Sequence, residues 1–152
     1  MALDESFSGR EYPADRIYEV GREKIREFAE AIGDLRPEYL DQEAARALGY
    51  RDVIAPPTFT MIVNLDAINK IVNDPDLGLD YSRMVHGDQG FTYYHPVVAG
   101  DRLSVHTVVD NIMSRAGNDF ISFRAEITTV EGERRITTRA QLVVRDADEG
   151  AA

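Results

Sequence analysis

The stretch from Phe59 to Val72 limits the possible folds more than any other. Its apolar residues Phe59, Met61, Ile62, Val63, Leu65, Ala67, Ile68, Ile71 and Val72 fall on nearly all sides of a helix. A helix that is apolar all round belongs in a core, not on a surface. Pro57 is well placed as its first residue, and Asn73-Asp74-Pro75-Asp76 stops it. Other segments must therefore wrap this helix on several sides.

The remaining chain supplies the wrapping as strands. From Met84 the apolar period changes from helical to alternating, and Val85 to Val98 reads as a strand broken by Gly87 and Gly90. Ala99-Gly100-Asp101 then turns the chain into Leu103–Val109. Ile121, Phe123, Ala125 and Ile127 alternate with polar residues, Glu131-Gly132-Glu133 reverses direction, and Ile136, Thr138, Ala140, Leu142 and Val144 return. That is a hairpin in an antiparallel sheet. Upstream, residues 1–15 are polar and read as a loose, flexible arm. Ile17, Tyr18 and Val20 form a short strand, and Ile25, Phe28, Ala29 and Ile32 mark an amphipathic helix that Gly33 ends. Asp41 caps a second helix reaching Leu48. Helices first and antiparallel strands afterwards make an α+β chain. A sheet curled around one long central helix is the hot-dog arrangement, with one domain over 16–146 and an acidic, disordered tail over 147–152.

Charge narrows the partners. The 152 residues include 27 acidic and 17 basic ones, a formal charge of −10. Nucleic acid and anionic membrane surfaces both require clustered Lys and Arg, so neither is expected. There is no cysteine, which excludes disulfides and thiolate chemistry. Met1-Ala2-Leu3-Asp4-Glu5-Ser6 lacks the basic and apolar regions of a secretory signal, and no run of about eighteen apolar residues exists. A cytoplasmic protein is expected.

Three histidines are available for acid–base work near neutral pH: His86, His95 and His106. His106 alternates with Val105 and Thr107 on a strand and reads as structural. His95 reads as an exposed strand-end residue before Pro96. His86-Gly87-Asp88-Gln89 crowds a histidine, a permissive glycine and a carboxylate at one strand start. No pair has the spacing of helical metal ligands, so neither metal nor cofactor is expected. No Gly-x-Ser-x-Gly elbow or phosphate-cradling loop is present.

Ala31-Ile32-Gly33-Asp34-Leu35-Arg36-Pro37-Glu38-Tyr39, Tyr50-Arg51-Asp52-Val53-Ile54-Ala55-Pro56-Pro57-Thr58-Phe59, His86-Gly87-Asp88-Gln89, Tyr94-His95-Pro96 and Gly100-Asp101 together resemble the MaoC-like hot-dog dehydratases. The resemblance is narrower to the N-terminal dehydratase-domain type, which includes A-type subunits of actinobacterial R-specific 3-hydroxyacyl-ACP dehydratases. It runs from about Val20 to Val144. Active members read Gly-Asp-x-Asn-Pro-x-His. Their Asp and His handle the water, and a backbone N–H at the start of the long helix polarises the thioester carbonyl. Gly33, Asp34 and Pro37 match. Arg36 replaces Asn, and Tyr39 replaces the catalytic His. Ala-His-Gly becomes Ala55-Pro56-Pro57, so Pro57 has no N–H to donate, and Thr58 offers one a residue later.

The resemblance implies paired hot-dog chains, of which one carries the Asp/His dyad and the other shapes the acyl tunnel. Three readings stay open. The first is a non-catalytic or weakly catalytic subunit of an R-specific 3-hydroxyacyl-thioester dehydratase acting on acyl-CoA or acyl-ACP. It pairs with a MaoC-like catalytic partner and lines the tunnel with Tyr39, Pro57, Thr58, Phe59, Met61 and Ile62. The second is an active homodimeric hydratase using Asp34 and His86 as catalytic groups. The third is an acyl-thioester-binding module without chemistry. A hot-dog thioesterase using Asp66 on the long helix is a further alternative.

Overall fold

The computed structural model describes residues 3–145. Six antiparallel strands form one sheet in the order β1-β4-β5-β6-β3, with β2 also beside β4. The strands are β1 (Glu11–Tyr12), β2 (Tyr18–Glu19), β3 (Met84–Tyr93), β4 (Arg102–Arg115), β5 (Asn118–Thr129) and β6 (Arg134–Arg145). The expected hairpin is β5–β6, and its register pairs Ile121 with Leu142, Phe123 with Ala140 and Ile127 with Ile136. All six of these side chains are buried on one face, as directly opposed residues of a half-buried sheet should be. β3 stops at Tyr93, short of the expected Val98, because the chain turns away at Tyr94 and Pro96 cannot donate to a ladder.

Among the described residues four α-helices pack with the sheet: α1 (Arg22–Ile32), α2 (Pro37–Leu40), α3 (Gln42–Ala47) and α4 (Thr60–Val72). α1 buries Ile25 and Ala29 and ends at Gly33, whose φ of 73° is the left-handed value glycine tolerates. α2 was not foreseen, although Pro37 occupies its first turn. α3 begins as expected at Asp41, whose carboxylate accepts from Glu43 N at 2.7 Å and Ala44 N at 3.3 Å. Asp41→Ala should therefore cost about 1 kcal/mol, read as a lower thermal midpoint. An unchanged midpoint would show that the cap contributes nothing.

α4 lies along the concave face, the hot-dog arrangement expected from its sequence. Two details differ from that expectation. Phe59 N donates to Pro56 O, Met61 N to Thr58 O and Ile62 N to Phe59 O. These tight three-residue steps carry Pro57–Phe59, and the α-helix proper begins at Thr60. The helix is also buried on one side only. Thr60, Val63, Asn64, Ile71 and Val72 are enclosed, whereas Leu65 is 52% exposed and Met61, Ile62 and Ile68 are half-buried. Ile62 and Ile68 still touch the core, so Leu65 is the helix's most open apolar side chain.

The core has two parts. Around the first half of α4, Phe59 and Val63 pack with Ile25, Leu103 and Ile127. Around the second half, Ile71 and Val72 pack with Phe7, Val109, Ile121 and Leu142. Phe7 shows that residues 3–15 are not a loose arm. Leu3 and Phe7 are each 4% exposed, Leu3 N donates to Asp119 Oδ2 at 2.9 Å, Gly9 N donates to Val109 O at 2.7 Å, and β1 joins the sheet edge at β4. Two apolar side chains four residues apart anchor an otherwise polar segment. The expected tail over 147–152 lies outside the described residues. Among the described residues no helix is long and apolar enough to cross a membrane.

Candidate functional site

A cleft of about 240 Å³ opens beside the first turn of α4, lined by Tyr39, Pro57, Thr60, Tyr93, His95 and Ile136 among others. Backbone pairing builds its walls. Ile54 N donates to Glu38 O at 3.1 Å, Ala55 N to Val97 O at 2.8 Å and Ala99 N to Val53 O at 2.9 Å. The approach to α4 is thereby clamped between α2 and the segment after β3. Tyr93 stands opposite Ile136 in the β3–β6 ladder, so both side chains share a face. The Tyr93 hydroxyl donates to Pro57 O at 3.0 Å, fixing the first turn of the helix against the edge of the sheet.

The tunnel and catalytic residues expected from the sequence divide unevenly around this cleft. Tyr39 and Pro57 line it. Tyr39 is 3% exposed. Burial raises its phenol above the usual value, the Asp34 charge adds to the rise, and Arg36 opposes it. At neutral pH it is a hydrogen-bond donor, not a base. Asp34 stands near Tyr39, 3.4 Å from Arg36 Nε, but outside the cleft lining. Thr58 is exposed. Phe59 has no exposed surface and meets Tyr18 and Phe28 edge-to-face at 6.4 and 5.6 Å, which makes it core, not tunnel wall. Met61 and Ile62 sit on α4 outside the lining.

His86 is exposed near the far end of β3, its Nε2 3.0 Å from Asp88 O. Seven residue steps along the strand separate it from Tyr93, roughly 20 Å along the sheet. Within one chain Asp34 and His86 are not brought together. The β-bulge between His86 and Asp88 is the break that Gly87 announced: a Cβ there would lie 2.9 Å from Val143 Cγ2. His106 Nε2 lies 3.2 Å from Glu11 Oε2, in keeping with a structural role.

His95, read as a strand-end residue, lies in the cleft wall. Its Nδ1 is 3.1 Å from Arg134 O and 3.7 Å from Glu133 Oε1, both acceptors, so Nδ1 carries the hydrogen of that contact. Thr60 was hidden in an apolar run. It is fully buried, and its hydroxyl has no hydrogen-bond partner among the described residues. Among those residues no Asp, Glu, Lys or Arg lines the cleft, and no group of acidic, histidine or cysteine side chains could hold a metal ion. The cleft therefore suits a neutral, largely apolar guest.

A second cluster lies behind it. Asp101, with 2% of its side chain exposed, accepts from Arg135 Nε at 2.9 Å and Nη2 at 3.0 Å. It also accepts from Val98 N at 3.0 Å and pairs with Arg51. Burial alone would raise this carboxyl, but hydrogen bonds from Arg135, Val98 N and Arg51 hold it below the ordinary aspartate value. The cluster joins the stretch before α4 to β4 and β6, and so positions the cleft without lining it.

The FAS1-like, dehydratase domain region family matches residues 6–138. The chain belongs to that family. A UPF0336 protein of Streptomyces avermitilis is 58% identical over 150 residues, covering 99% of this chain and 100% of that one. A solved MaoC-like dehydratase superposes with a TM-score of 0.86 at 34% identity, covering 95% of this chain and 44% of that longer one. The C-terminally truncated HadBC (3R-hydroxyacyl-ACP dehydratase) complex from Mycobacterium tuberculosis gives 0.85 at 30% identity, with 94% and 99% covered. The chain is thus a MaoC-like hot-dog dehydratase family member. Three of its departures from the family's motifs, Tyr39, Pro56 and Pro57, meet in one cleft.

Proposed function

We propose that the chain is the non-catalytic member of an R-specific 3-hydroxyacyl-thioester dehydratase assembly. A MaoC-like hot-dog partner with the intact Asp/His motif carries out the chemistry. The observation that carries this reading is the buried Tyr39, set where the family's base is expected and held protonated. Pro57 in the same cleft has no N–H for the thioester oxyanion. The cleft keeps the shape for an acyl chain and lacks, at the matching positions, the family's histidine base and oxyanion N–H.

Two surfaces support pairing. Met61, Leu65 and Ile68 form an incompletely covered apolar stripe on α4. β3 pairs only with β6 among the described residues, leaving its other edge free. A second hot-dog chain would cover both. The homodimeric hydratase needs His86 from a second copy, since one chain holds it far from Asp34.

Co-expression with a hot-dog chain bearing Gly-Asp-x-Asn-Pro-x-His tests the proposal. The two should co-purify, and the complex should hydrate enoyl-CoA or enoyl-ACP faster than either chain alone. Turnover by this chain alone, lost in Asp34→Asn and His86→Ala, would replace it with the homodimeric enzyme. Thioester binding without turnover in any combination would favour a plain binding module.

A further inference from the structure

The outer face of the sheet, turned away from α4, is mostly polar and carries one apolar row. By register Val85 stands opposite Val143, Val143 opposite Phe120, and Phe120 opposite Met113. These four side chains point outward, because their strand neighbours Met84, Val144, Ile121 and Ile112 are the ones turned into the core. The row crosses four strands, about 14 Å at the usual strand spacing. Val85 is 51% and Met113 44% exposed. Further along the same face the opposed residues are Thr92, Thr137, Glu126 and His106, as the solvated side of an antiparallel sheet should be. Gly87 leaves Val143 open, since a Cβ there would stand 2.9 Å from its Cγ2. Apolar side chains lined up across four strands mark a surface that meets another protein.

The polar residues beside the row say which protein. Two positions along the strands on one side stand Arg115, Asn118 and Arg145; two positions along on the other stand Asn111, Ser122 and Gln141, with Asp88 next to Gln141. A two-fold axis running along the row lays each apolar side chain on its own counterpart. It sets Arg115 against the other copy's Asn111, and Arg145 against the other copy's Gln141 and Asp88. Gln141 gives its amide N–H to Ser122 Oγ at 3.1 Å, which leaves its Oε1 to accept from the arginine. Each guanidinium thus meets an acceptor, Asp88 supplies the opposite charge, and no like charges face each other. An axis along the strands would instead put Arg115 over Arg83, which lies beside Arg145 with its Nη1 3.1 Å from Arg145 O. The face is complementary to itself in one orientation.

We propose that two copies of this chain pair back to back through this row, sheet against sheet. Sheets packed face to face sit about 10 Å apart with their strands within about 30° of each other, and a two-fold interface uses one patch twice. The contact lies on the opposite side of the sheet from α4. It rests neither on the cleft nor on the hot-dog partner, and joins two lone chains or two complete pairs alike. The row is narrow beside interfaces that bury about 1,600 Å², so the association is weak and shows as a mass that rises with concentration.

Cross-linking and sedimentation equilibrium of the full-length chain, in whatever assembly it is purified, test the proposal. The chain has no cysteine, so Met113→Cys supplies a single thiol on the proposed axis, and a short bismaleimide should join two such chains. Arg139→Cys is the control: it is exposed on the same face, four residues along β6 from Val143, about 13 Å off the axis and so about 26 Å from its mate. It should stay single. Met113→Asp should halve the mass of the assembly at high concentration while the far-UV spectrum is unchanged. A mass that Met113→Asp leaves as it was, or a Met113→Cys that cross-links no faster than Arg139→Cys, overturns the inference. A Met113→Cys thiol that a maleimide fails to reach in a monomer also overturns it and gives the row to another segment of this chain. Hot-dog pairing is read separately, from co-purification, and stands or falls on its own.

Discussion

Asp101→Asn should destabilise the protein by about 3 kcal/mol, the lower end of what removing one partner from a buried ion pair costs. The lower end applies because Arg135 keeps Glu133, 2.6 Å away. For a chain of this size the thermal midpoint should fall by about 6–12 °C. The asparagine can still accept from Val98 N, so the loss reports on the charge and on the two-pronged contact with Arg135. The sign of the pH dependence follows from the lowered carboxyl. Its stabilisation is complete above the unfolded aspartate value of about 3.9 and disappears as pH falls through the lower folded-state value. The gap between parent and variant should therefore be constant at neutral pH and close below about pH 4. Denaturant midpoints measured from pH 3 to 7 check this. A neutral-pH loss under about 1 kcal/mol would mean that Glu133 alone compensates Arg135.

The second large effect concerns catalysis. In the assembly proposed above, replacing the partner chain's motif Asp or His should lower kcat by about 10²–10⁴, the usual worth of a positioned acid or base. Asp34→Asn in this chain should change it less than about twofold. Asp34 faces Arg36 at 3.4 Å, stands outside the cleft lining, and has the protonated Tyr39 where a base would be needed. Single-turnover hydration of an enoyl thioester separates the cases. A hundredfold loss from Asp34→Asn would give this residue a chemical role and end the non-catalytic reading.

The features legible in the sequence are those set by local pattern. Alternation over 119–145 produced β5 and β6, the three- and four-residue spacing of Ile25, Phe28, Ala29 and Ile32 produced α1, and Gly33 closed it. Departures from the family's motif marked Tyr39 and Pro57, which line the cleft. What escaped depended on the folded context. Leu3 and Phe7 were lost in a polar segment because their partners, such as Val109 and Ile121, lie about a hundred positions away. Phe59, Met61 and Ile62 were equal candidates for a tunnel until packing put Phe59 in the core and the other two on the helix flank. His95 gained its place only when the turn before Pro96 carried it to a wall shared with Tyr39. Thr60 and Asn64 carry no local signal, because the pattern of α4 is set by its apolar members.

β3 remains as a ten-residue strand with one edge unpaired among the described residues, and Val85 and Tyr93 on it are each 51% exposed. Open edges of this kind recruit further strands and lead to aggregation unless something interrupts them. Here the interruption is the bulge at Gly87 with His86 and Asp88 beside it, which guards only the Met84 end. The Tyr93 end is unguarded. Preparations of the lone chain should be prone to clump, and solubility itself becomes a readout: whichever protein keeps this chain dispersed is a candidate for the one that occupies its edge.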